Sequence, residues 1–210
     1  MRAIIVGEDN VTQEIIRRLI TLYAPCWDTL HPLPARGSQA TQKDKIEAYN
    51  KLAHTIPVIL LTDLDAAQCA PRKREEILSP IAHKQPKFLI NVAVEEAETW
   101  LMADKENFIS YFGVQDKIPE ATLCRMFGRN ERREILFRYK PSLYMMKEII
   151  PTSNKPAVIA QLHPKNGAKK GPEYNTAMLP FISQVWNPEN ARKRSYSLNR
   201  MIVRIQNIPK

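Results

Sequence analysis

Apolar positions along this chain follow two alternating rhythms. Short runs rich in β-branched residues, RAIIVG (2–7), VILLT (58–62) and KFLINVAV (87–94), are each followed directly by an acidic residue. Their composition and length predict buried strands. Between them lie stretches with helical spacing. In 10–23, Val11, Ile15, Leu19 and Leu22 fall near one face with Ile16 and Ile20 beside it, and Asn10 followed by Gln13 reads as a capping box. Residues 41–54 predict a helix on the surface of the sheet. PRKREEILSPIA (71–82) predicts another, and EEAETWLMAD (95–104) a third with three glutamates on its first two turns. WDTLHPL (27–33) adds a short strand. Strand–helix alternation of this kind implies parallel strands joined by crossover helices, an α/β sheet covered on both faces.

After about residue 119 the rhythm loosens. The stretch 125–151 predicts two short helices with exposed arginines, KPAVIAQL (155–162) a further strand, and HPKNGAKKGPEYN (163–175) a basic loop. Helices are expected over 176–186 and 195–208. The expected organisation is an α/β core over 1–119 and a basic, helix-rich elaboration over 120–210 packed on it.

Charge sharpens this division. The 210 residues carry 31 Lys+Arg and 22 Asp+Glu, a formal charge of +9. Residues 1–119 have a net charge of −2 and residues 120–210 a net charge of +11. Acidic chemistry and basic binding surface therefore come from different parts of the chain, and the basic part favours an anionic partner such as nucleic acid. Cys26, Cys69 and Cys124 are odd in number and widely spaced, which argues against a disulfide framework or a zinc site. The opening MRAIIVGEDN is too short an apolar run for a signal peptide, and nothing approaches the length of a membrane span. The expectation is a cytoplasmic protein with no membrane attachment.

The candidate chemistry lies where the strands end. Glu8, Asp63, Asp65 and Glu95 all fall just past predicted carboxyl ends, the edge at which open parallel sheets gather ligands. Two aspartates separated only by Leu64 repel each other unless something positive lies between them. If the chain stays extended, they point to the same side. A divalent ion such as Mg²⁺, which prefers oxygen ligands and keeps several waters, fits that description. A turn with a helix cap would account for one aspartate but not both. Glu98 or Glu95 is the candidate for an additional ligand, with Glu96 facing solvent. Trp100 is assigned to the core. Lys169 and Lys170, set in a loop with Gly167 and Gly171, are candidates to steady a phosphate. Arg192, Lys193 and Arg194 are candidates to track a nucleic-acid backbone.

Taken together, the strand ending in Glu8, the strand ending in Asp63-Leu64-Asp65, and the alternation between them resemble the TOPRIM fold of topoisomerases, primases and nucleases. VAVEEAETWLMAD and KKGPEYN…FISQVWNPENARKRSYSL sharpen the likeness. They resemble bacterial TOPRIM-like proteins encoded beside an ABC-type ATPase, related to overcoming-lysogenization-defect and phage-defence nucleases. The resemblance implies a Rossmann-like sheet and Mg²⁺- or Mn²⁺-dependent cleavage of nucleic acid. It also implies an ATPase partner, with metal ligation by Glu8, Asp63, Asp65 and Glu98; beside that site Lys170, or Lys169, would offset the charge that develops in phosphoryl transfer. Relatives usually place glycine directly after the first glutamate; here Gly7 precedes Glu8 and Asp9 follows it.

Three other readings compete. A haloacid-dehalogenase-like phosphatase also uses DxD after an apolar strand, but normally on its first strand. A non-catalytic nucleic-acid-binding subunit, or an ATPase-partner subunit, would have structural carboxylates. DNA or RNA as substrate, and self-association, stay open at the level of sequence.

Overall fold

The computed structural model describes residues 1–33, 37–65, 67, 69–124, 132–165 and 167–209. The chain divides into two compact units, Met1–Val94 with Ser197–Lys210, and Glu95–Tyr196. The division falls at Val94, whereas the charge changes sign near residue 119.

The first unit is built on four strands, β1 (Arg2–Gly7), β2 (Thr29–Pro32), β3 (Val58–Asp63) and β4 (Phe88–Ala93). They form an all-parallel sheet in the order β2-β1-β3-β4. Its central members are buried along almost their whole length, which is why they read as unbroken apolar runs. On one face Ile4, Val6, Val58, Leu60, Phe88 and Ile90 pack with Ile46 and Tyr49 of α2 (Lys43–Leu52, preceded by α1, Asn10–Tyr23) and with Ile77 of α3 (Ala70–Leu78). Ile5, Ile59 and Leu61 alternate to the opposite face. Helix α1 packs along β1 and β3, burying Ile15, Ile16, Leu19 and Ile20. The last helix, Tyr196–Gln206, brings the chain back to this unit. Its Arg204 donates to the Ile90 carbonyl (2.9 Å) and to Asn91 Oδ1 (3.1 Å), and its Ser197 hydroxyl accepts from Val94 N–H (3.4 Å).

The second unit contains α4 (Ala97–Ala103), α5 (Lys105–Phe112), the antiparallel pair β5 (Thr122–Cys124) and β6 (Arg132–Glu134), α6 (Pro141–Tyr144), α7 (Pro156–Leu162), α8 (Tyr174–Pro180) and α9 (Pro188–Ala191). Helices α6 and α8 continue as single wide turns over Met145–Ile149 and Phe181–Val185. Its core holds Trp100 and Trp186, linked by an indole N–H donated to the Trp100 carbonyl at 3.2 Å, and a ring cluster of Phe108, Phe112 and Phe181. Trp100 is a core residue, as expected. Among the described residues no helix is long and apolar enough to cross a membrane.

Four expectations need correction. Residues 156–162 form helix α7, not a strand. Val158 and Ile159 gave the run a β-branched look, but Pro156 at the first helical position, with extended Lys155 as cap, starts a helix. In 125–151 the structure has β6 and α6 in place of two helices; residues 125–131 lie outside the described part. The α1 cap is Asp9, whose carboxylate accepts from Thr12 N–H (2.9 Å) while the Thr12 hydroxyl accepts from Asp9 N–H (3.0 Å). Helix α4 begins at Ala97, so only Glu98 of the three glutamates is in its first turn.

Candidate active site at the carboxyl edge of the sheet

Parallel pairing aligns Gly7 with Leu61, so Glu8 emerges from β1 beside Thr62 and Asp63 at the end of β3. The two strand ends are joined directly. Thr62 donates its hydroxyl to Glu8 Oε1, and the Asp63 N–H donates to the same oxygen at 3.2 Å. Thr62 is buried, and Glu8 and Asp63 are half-buried. Gly7 makes this corner sterically feasible. A Cβ there would lie 2.5 Å from Thr12 Oγ1 and 2.8 Å from Gln13 N, so only glycine lets the first turn of α1 close on the strand end.

Past Asp63 the chain leaves the strand. Leu64 N–H still bonds to the Ala93 carbonyl (2.9 Å), but Asp65 is left-handed with φ of 51°. The extended-chain argument that aimed both aspartates to one side therefore does not hold; a turn that aspartate tolerates replaces it. The positive object beside the DxD is Lys73 of α3. Its ammonium donates to the Asp63 and Leu64 carbonyls and to Asp65 Oδ2, the last at 3.1 Å. Among the described residues, no three His, Cys, Asp or Glu side chains gather closely enough to hold an ion by themselves. The sequence reading missed both Lys73 and Thr62. Thr62 was visible as the one polar residue between an apolar run and the acids. Lys73 was visible only as one of several bases in PRKREE.

Replacing Lys73 with Met removes the donor for two carbonyls and a carboxylate. Each such bond contributes on the order of 1 kcal/mol, more to a charged acceptor. Lys73→Met is expected to lower stability by about 1–3 kcal/mol, read as the urea midpoint. An unchanged midpoint would mean that the ammonium merely rests on the surface.

The second unit carries the other predicted residues, most of them with a defined partner there. Glu98 is buried. It accepts from the Tyr174 hydroxyl, and Lys170 Nζ lies 3.8 Å from the same Oε1 and 4.3 Å from the centre of the Tyr174 ring. Gly171 lets that loop lie against α7, since a Cβ there would come within 2.4 Å of the Gln161 carbonyl oxygen. Lys169 is exposed. Arg194 holds Glu106 through two N–H groups (2.8 and 3.2 Å), keeping that carboxyl well down, at about 2. Arg192 pairs with Glu189 at 3.1 Å, and Lys193 reaches Asn190 Oδ1 at 3.5 Å.

Glu96 does not face solvent. It is buried, accepts from Ser142 N–H (2.8 Å) and pairs with Lys140 (3.0 Å), because it caps α4 from an extended backbone that turns its side chain inward. Glu95 is left-handed (φ 63°) and accepts from Phe137 N–H at 3.1 Å. Desolvation raises its carboxyl to about 7 against the opposing pull of that N–H, with the Glu96 charge adding to the rise. A folded-state value above the unfolded one means that the native protein holds the proton more tightly. Stability from this group is therefore full below about pH 4.5 and is lost as pH rises to about 7. Glu95→Gln is expected to flatten that fall, so that the variant gains on the wild type in thermal midpoint between pH 5 and pH 8. Parallel curves for the two proteins would refute the assignment. Comparison of the chain with protein-family models, with curated proteins and with solved structures gives no match.

Proposed function

We propose that this chain is a TOPRIM-like, divalent-metal-dependent nuclease that hydrolyses nucleic-acid phosphodiesters. In this reading it works with an ABC-type ATPase partner as an effector of phage defence. The observation that carries the reading is the junction of Glu8 and Asp63 at the carboxyl ends of adjacent parallel strands, tied through one carboxylate oxygen. The donor set suits Mg²⁺ or Mn²⁺. Both are hard ions that take one or two carboxylates and complete their shell with water and substrate phosphate. Both protein bonds land on Glu8 Oε1, so Oε2 takes part in neither. Asp65 would join only by giving up Lys73.

An ion held there supplies Lewis acidity, lowering the pKa of a bound water and neutralising phosphate charge. The chain's own residues do the rest. Thr62 and the Asp63 N–H fix Glu8, and Lys73 balances the DxD charge. The exposed Lys169 and Lys170 offer ammonium groups to an anionic polymer, and the +11 charge of residues 120–210 draws it in. A second reading, a binding or ATPase-partner subunit with structural carboxylates, is favoured by the Lys73–Asp65 ion pair.

The test is incubation of the purified chain with plasmid, single-stranded DNA and tRNA in Mg²⁺, Mn²⁺ or EDTA, beside a phosphomonoester. Metal-dependent cleavage of a polynucleotide supports the nuclease. Turnover of the monoester alone supports a phosphatase, and no turnover with or without the ATPase supports the binding subunit.

A further inference from the structure

The second unit carries an aromatic cluster that the nuclease reading does not use. In the segment FRYKPSLY (137–144), the bend before α6 brings three rings together. Phe137 and Tyr144 have centroids 5.2 Å apart at 61°, and Tyr139 and Tyr144 lie 5.5 Å apart at 54°. Unlike Phe108, Phe112 and Phe181, which are buried in the core, Tyr139 remains 37% exposed. It is also fixed at both ends. Its hydroxyl donates to Glu148 Oε1 (2.8 Å) and its ring rests against Tyr144, whose own hydroxyl donates to the Lys117 carbonyl (3.0 Å). Arg138 and Lys147, both exposed, lie in the same segment and the turn that follows, and Lys140 between them is paired with Glu96.

We propose that Tyr139 is a stacking platform for one base of a single-stranded nucleic acid, with Arg138 and Lys147 contacting the flanking phosphates. Exposed rings interleaved with bases are the combination that binds single strands, because every base presents a π-face and every linkage a negative charge. A ring already held at its hydroxyl and its face loses little freedom on binding, so more of the stacking energy reaches affinity. A duplex, whose bases are stacked internally, would meet only the cations. This deepens the nuclease reading by naming its substrate class, but it is tested without catalysis.

The experiment is fluorescence anisotropy in EDTA with labelled oligo(dT) and oligo(U) of about 12 nucleotides, a length within typical single-strand site sizes, and a duplex of the same length. The proteins are wild type, Tyr139→Leu and Tyr139→Phe, each checked for folding by circular dichroism. Wild type is expected to prefer single strands. Tyr139→Leu should weaken them about tenfold with little effect on duplex, while Tyr139→Phe should keep most of the wild-type affinity. The two oligonucleotides separate DNA from RNA. Equal affinity for single strand and duplex overturns the proposal, as does a Tyr139→Leu variant that binds normally. A loss in Tyr139→Phe as large as in Tyr139→Leu would assign the residue to its bond with Glu148 and also overturn it. Absence of binding to every oligonucleotide would do the same and would point to a protein surface. Single-strand binding without cleavage under any metal would leave this proposal standing and remove the nuclease.

Discussion

Asp63→Asn is expected to abolish metal-supported cleavage of nucleic acid while leaving the fold intact. Three polar ties at this position run through backbone atoms. Asp63 N–H goes to Glu8, its carbonyl accepts from Lys73, and Leu64 N–H reaches Ala93. Asparagine preserves these three and nearly the same volume while removing the anionic ligand. Stability should stay within about 1 kcal/mol, as for a substitution that creates neither cavity nor orphaned group. In the proposed site, losing one of the two carboxylates assigned to the ion would remove several kcal/mol of charge stabilisation, a rate loss of at least about a hundredfold. Glu8→Gln should behave in the same way, because its Oε1 can still accept from Thr62 and Asp63. Cleavage by the variants at the wild-type rate would sink the site assignment and point to a contaminating activity.

The largest effect on stability is expected at Asp104, a residue with no part in the proposed chemistry. Its carboxylate is completely buried at the junction of α4 and α5. It accepts from Asn187 N–H (2.7 Å), from Asn107 Nδ2 at both oxygens (2.9 and 3.2 Å) and from Asn190 Nδ2 (3.4 Å). These bonds tie the start of α9 to the start of α5. Asp104→Ala would leave a buried backbone N–H and two amides without an acceptor, and each orphaned donor costs about 1–3 kcal/mol. A loss of about 3–5 kcal/mol is expected in urea unfolding, enough to threaten a protein with an ordinary margin of stability. Asp104→Asn keeps one acceptor and should lose less. A loss under about 1 kcal/mol would show that water replaces the carboxylate.

The sheet and its acidic edge were legible in the sequence because parallel strands covered on both faces must be apolar throughout. A charge immediately after such a run therefore marks its carboxyl end, and Glu8 and Asp63 were found in this way. Asp65 was misjudged because dihedral angles beyond a strand end are set by the turn, and the pattern of apolar positions says nothing about them. Glu96 was misjudged because its acceptors are filled by Ser142 and Lys140, more than forty positions later in the chain. Local patterning carries no signal for such a pairing. Residues 156–162 show the ambiguity of short apolar runs, where one proline outweighed two β-branched residues. The ring cluster of Phe137, Tyr139 and Tyr144 was hidden for a related reason. Its members meet only because the chain bends at Lys140 and Pro141.

The return of the last helix to the sheet imposes an order of events during synthesis. Residues 95–196 form one continuous unit that can close as soon as it leaves the ribosome. The sheet unit is split, and the contact from Arg204 to Ile90 spans 114 positions. Strands β1 to β4 are thus made first but completed last, a long-range closure of the kind that folds slowly. Throughout that interval the helix that bonds to Ile90, Asn91 and Val94 is missing from the sheet that carries Glu8 and Asp63. If they cleave nucleic acid, a nascent chain still attached to its own message would be harmless to it.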